Sequence, residues 1–134
     1  MKRPSHMSNG QLNDWLRCGK SYQLKRIQGA PSKPSVFLVA GVAVHAAIYE
    51  VNLHHMGFRD EVDPVEEFEK SFEVETGKLI QSSGLPSSSW KVAGRVTKEK
   101  PNKEDMAWWR VEGARQVVEY QKWLSETDWH LYTH

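Results

Sequence analysis

Cys18 is the only cysteine in the chain. An internal disulfide is excluded, and so is an iron–sulfur cluster held by this chain alone, because a cluster needs several thiolates. A lone thiol in an amphipathic stretch reads as a buried structural group and fits a reducing, cytoplasmic setting. No uninterrupted apolar run reaches the roughly 18 to 20 residues that span a bilayer, so no membrane partner is expected. The basic start "MKRPSHMS" has no apolar stretch behind it and does not read as a secretory signal. Charge of one sign is missing too. There are 18 Lys and Arg against 17 Asp and Glu, a net charge of +1, so any DNA contact has to be local. No nucleophile elbow, Gly-rich phosphate loop or Walker lysine occurs. There are no internal repeats.

What the chain does have is helical periodicity. Its 134 residues suffice for one domain. The pattern predicts a mainly α fold of about four to five helices, near 9–27, 38–56, 64–81 and 103–125. Residues 1–7 read as a flexible N-terminus, and 8–134 as a single helical domain with a long loop at about 82–102. Ser8-Asn9-Gly10-Gln11 reads as a capping box, followed by an apolar stripe of Leu12, Trp15 and Leu16 in a helix over about 9–18; Gly19 interrupts it, and Tyr22, Leu24 and Ile27 suggest a second short helical piece. The segment "VFLVAGVAVHAAIYEV" is apolar on nearly all sides, which predicts burial on most of them. Its valines also suit a strand, so residues 36–40 are ambiguous. Gly57 fits the position just past a helix end. Asp63 and Pro64 mark the next helix start as N-cap and first residue, and "DPVEEFEKSFEVE" reads as a solvated acidic face. Asn102 reads as the cap of the last helix, with Glu104 and Asp105 in its first turn.

The residues with chemistry are few. His45 sits one turn after Gly41 among small residues, where a metal or a second backbone has room. It reads either as a metal ligand or as a buried histidine satisfied by a carbonyl. His54 and His55, with His130 and His134, form a nominal cluster, but adjacent helical histidines point about 100° apart, a poor chelate. Arg17, Lys20, Lys25 and Arg26 form one basic set, and Lys91, Arg95 and Lys98 another. Each can track a phosphate backbone, and each is more simply a solvated face. Trp90, inside the second set, is compatible with stacking on a single-strand base.

The order Ser8, Leu12, Trp15, Cys18, Tyr22, Leu24, Ile27, then a Pro-containing linker, then Gly41-Val42-Ala43-Val44-His45 and Glu50, resembles the N-terminal region of RecB-like nucleases of the PD-(D/E)XK superfamily. Phage-encoded exonucleases of that group are the nearest likeness, and "GRVTKEKPNKEDMAWW" with its Trp-rich helix extends it over most of residues 8–134. Gly19 stands where the family's Cys-Pro pair has its proline. The resemblance implies that His45 is a ligand for Mg²⁺ or Mn²⁺ in a complete enzyme. The carboxylates and the catalytic lysine would come from a later sheet with an Asp…(Asp/Glu)-x-Lys pattern, and residues 126–134 supply none of it. It implies the helical front part of a DNA exonuclease in a phage host's cytoplasm, inactive alone. DNA is then a possible partner. Trp123, Trp129 and Tyr132 are expected to meet a protein partner: the missing sheet or another copy of the chain. The alternative is a non-catalytic, nuclease-derived module that binds a protein or DNA.

Overall fold

A computed structural model describes residues 6–94, 96–99 and 103–127. It is mainly helical, with no strand among the described residues. The chain divides into two units, residues 1–32 and 33–134.

In the first unit, α1 (Asn9–Arg17) starts where Ser8 Oγ accepts the Gln11 amide at 3.2 Å. The reciprocal half of the capping box is not formed, since Gln11 Oε1 is buried without a partner. The interruption expected at Gly19 falls one residue earlier, at Cys18, whose backbone is extended at φ −161°. That conformation turns the thiol toward the free amides of the next turn. Sγ accepts from the Ser21 amide at 3.5 Å and caps α2 (Gly19–Tyr22), which runs into a π-helical turn, Gln23–Ile27. Cys18 is therefore an exposed cap and not a buried structural thiol. The Leu12, Trp15 and Leu16 stripe is exposed.

The second unit packs α3 (Val36–His55), α4 (Pro64–Ser83) and α5 (Met106–Glu126) on one another. Val36, Val39, Ala40, Ala43, Ala47 and Val51 recur at helical spacing and make the inner face of α3. They meet Phe68 and Phe72 of α4 and Val117 and Leu124 of α5 in one core. Burial of α3 on most sides is not found: Phe37, Leu38, Val42 and Tyr49 are exposed on its other face. The ambiguous residues 36–40 are helical. Strand-like pairing among the described residues is confined to isolated bridges, a parallel one between Ser35 and Lys91, where the Val36 amide donates to the Lys91 carbonyl at 3.0 Å, and an antiparallel one between Ala93 and Glu104. The expectation about apolar length also needs correcting. At 20 residues with Glu50 as its only acidic group, α3 is long and apolar enough to cross a membrane, because one charge and scattered polar residues barely lower the average.

Local capping positions the other helices. Asp63 accepts from the amides of Val65 and Glu66 at 2.9 and 3.2 Å, with Pro64 in the first turn of α4. Gly84, at φ +68°, ends it in the left-handed region that glycine adopts without a Cβ penalty. Asp105, and not Asn102, caps α5, accepting from the Trp108 amide at 2.9 Å. Asn102 itself lies outside the described residues. Helices α4 and α5 are joined by Arg110, which donates to Glu69 and Glu73 at 2.8 and 3.1 Å and lies 5.6 Å above the centre of the Phe72 ring. Tyr120 donates to Asn52 at 2.7 Å and ties α5 to α3. The long loop is anchored at a short 3₁₀ turn, Ser87–Ser89, followed by Trp90, which is only 4% exposed.

Arg59, just past α3, bridges Glu50 of α3 and Glu67 of α4, reaching Glu67 at 2.8 Å. The hydrogen bond from Arg59 is the main reason the Glu67 carboxyl is held below its ordinary range; burial opposes it more weakly. A carboxyl with a depressed folded-state pKa contributes stability that is complete above its unfolded pKa, about 4.3. That contribution is lost as pH falls through the lower folded value. Glu67→Gln is therefore expected to lower the melting temperature near neutral pH and to flatten its decline below about pH 5. Melting curves between neutral and acid pH check this. A variant with the wild-type pH slope would show that Glu67 contributes nothing to it.

Candidate functional site

On an α-helix, residues 38, 42, 45 and 49 fall on one stripe. In α3 that stripe carries Leu38 (52% exposed), Val42 (49%), His45 and Tyr49 (60%). His45 is exposed, so the buried, carbonyl-satisfied histidine is excluded. The small inner residues Ala40, Ala43 and Ala47 let α4 and α5 approach the other side of the helix, which turns His45 outward. Gly41 stands one turn before it, and a Cβ built there meets nothing within 4 Å. The imidazole thus stands on an open apolar surface with free room beside it.

A divalent metal needs more than this. No group of three or more His, Cys, Asp or Glu able to hold a metal exists among the described residues. Glu50, the nearest carboxylate along the helix, is engaged by Arg59. No Asp-x-Lys or Glu-x-Lys triplet occurs anywhere in the chain. Mg²⁺ takes several oxygen ligands, and one imidazole does not meet that demand by itself.

The other candidates separate. His54 Nδ1 lies 3.2 and 3.0 Å from the carbonyl oxygens of Arg59 and Asp60. Carbonyls only accept, so Nδ1 is the protonated nitrogen. His55 is exposed beside it. His130 and His134 lie outside the described residues, as do Arg95, Trp129 and Tyr132. Arg17, Lys20, Lys25 and Arg26 belong to the first unit, and Lys91 and Lys98 to the second. Asp14 takes up Arg26 at 3.1 Å and Arg17 at 3.8 Å, and Lys20 donates to Gln23 at 3.3 Å. Lys25, Lys91 and Lys98 are exposed. The base-stacking role for Trp90 is overturned. Its ring belongs to the core, and its indole N–H donates to the Leu85 carbonyl at 3.2 Å, so neither face nor edge is free. Trp123 is exposed on α5, tilted 38° to the Tyr120 ring at 5.7 Å.

Sequence inspection misses Arg59. Its partners lie nine and eight residues away across a helix end, a separation with no periodic signal. No protein-family model, curated protein or solved structure matches the chain.

Proposed function

We propose that the chain is the helical front part of a RecB-like, metal-dependent DNA exonuclease, contributing one ligand, His45, to a site completed by a catalytic sheet. The supporting observation is the outer stripe of α3. An exposed histidine stands among exposed Leu38, Val42 and Tyr49, with open space at Gly41, on the helix whose opposite face forms the core. Contiguous exposed apolar surface generally marks a contact with something else. A sheet docked there would cover the apolar residues and bring carboxylates to the imidazole. Those carboxylates would hold Mg²⁺ or Mn²⁺, which supplies the activation of water and the stabilisation of phosphoryl charge. His45 would contribute one nitrogen, fixed by the rigid core helix beneath it.

The isolated chain is expected not to cleave linear single- or double-stranded DNA with Mg²⁺ or Mn²⁺, because no group among the described residues supplies the several oxygen ligands such an ion takes. A nuclease assay on stringently purified chain checks this. Metal-dependent cleavage that co-purifies with the chain, and persists in His45→Ala, would place the active site elsewhere. Absence of cleavage together with saturable DNA binding would favour a DNA-binding module without catalysis.

A further inference from the structure

A second site lies away from His45, in a cleft of about 470 Å³ between the last turn of α3 and the last two turns of α5. Its apolar part is made by Val51, Val118 and Leu124. Its polar rim carries His54, His55 and Lys122, and no Asp or Glu lines it among the described residues. The rim is partly fixed in advance. His54 Nδ1 is committed to the carbonyls of Arg59 and Asp60, which orients the ring and leaves Nε2 as its free nitrogen. Gln121 spends its amide N–H on the Val62 carbonyl at 3.5 Å, and Ser125 its hydroxyl on the Lys122 carbonyl at 2.8 Å. The remaining donor with full charge is Lys122.

We propose that this cleft binds a small organic anion, an apolar body resting on the exposed Val118 over the core residues Val51 and Leu124 and a carboxylate or phosphate head held by Lys122 and His55. The charge pattern carries the choice. A cleft whose described lining carries only basic or neutral polar groups offers no partner to a cation and presents the Lys122 ammonium to an anion. Concave, largely apolar clefts with a few convergent polar groups are the usual form of a small-molecule site. His54 Nε2 suits either head. In the neutral ring it accepts from an O–H of a monoprotonated phosphate, and in the imidazolium it donates to an oxygen. This inference is independent of the nuclease proposal.

The test is an NMR titration of the whole chain with benzoate, phenyl phosphate, inorganic phosphate and uncharged benzyl alcohol. Saturable shifts of the Val51 and Val118 methyls are expected with benzoate or phenyl phosphate, and the tighter of the two identifies the head. Inorganic phosphate and benzyl alcohol, each carrying half of the ligand, are expected to bind at least about five-fold more weakly. Lys122→Gln is expected to weaken the preferred anion by about five-fold or more, the loss of one charge contact, with an unchanged melting temperature. Val118→Glu, which sets a like charge on the cleft wall, is expected to abolish binding. Three results would overturn the proposal: no saturation with either anion, equal response to benzyl alcohol, or unchanged affinity in Lys122→Gln. A zinc titration that shifts both histidine rings while neither anion does so would also overturn it, in favour of a metal site.

Discussion

Phe68→Ala is expected to lower the unfolding free energy by about 3 to 5 kcal/mol, since Phe68 is the largest fully buried side chain among the described residues. Phe68 is fully buried, and its ring lies 5.5 Å from that of Phe72, at the junction of α4 with α3 and α5. Its position depends on Gly113. A Cβ at residue 113 would fall on the Phe68 ring, so the helix can approach only because that residue has no side chain. Gly113→Ala would ordinarily gain up to about 1 kcal/mol of helix propensity. Here it is expected to destabilise by about 1 to 3 kcal/mol, because a fully buried ring must shift to admit the methyl group. Pairing it with Phe68→Leu, which withdraws the ring, is expected to cost less than the sum of the two single changes. Urea unfolding of the wild type and the four variants measures all three quantities. A more stable Gly113→Ala would show that the α4–α5 contact is looser than the structure has it.

The second large effect concerns function. His45→Ala removes an exposed side chain that makes no core contact, so the melting temperature of the chain is expected to stay within the range of ordinary surface changes, about 0.5 kcal/mol. In an enzyme completed by its sheet the same change is expected to lower cleavage by roughly two orders of magnitude or more, since losing a metal ligand is costlier than losing the groups that merely orient one. The contrast distinguishes a ligand from a structural histidine. A structural one would give a marked fall in melting temperature and leave activity intact.

The parts of this fold legible in the sequence are those decided within a few residues. Ser8, Asp63 with Pro64, and Gly57 do what their local chemistry says, because a cap needs only its own turn. Cys18 is misread because an exposed thiol cap and a buried thiol look alike in a one-dimensional pattern, and only the extended backbone at that residue separates them. Trp90 is misread for the opposite reason. Its loop is polar and rich in Ser and Pro, yet Leu85 offers a carbonyl to the indole and the core accepts the ring. The outward turn of His45 lies between these cases. The spacing of Ala40, Ala43 and Ala47 reveals a tightly packed face, but which side of an all-apolar helix meets α4 and α5 depends on Phe68, Phe72 and Val117, far away in sequence.

The most direct measurement joins this chain to the polypeptide encoded immediately after codon 134, in the same or the adjacent reading frame, and assays cleavage of linear DNA with Mn²⁺. The expected result is a protein with strands bearing Asp and Asp/Glu-x-Lys, active with wild-type chain and inactive with His45→Ala. Downstream sequence without those carboxylates, or an assembly that cleaves equally well with His45→Ala, would contradict the proposal that the outer face of α3 docks a catalytic sheet.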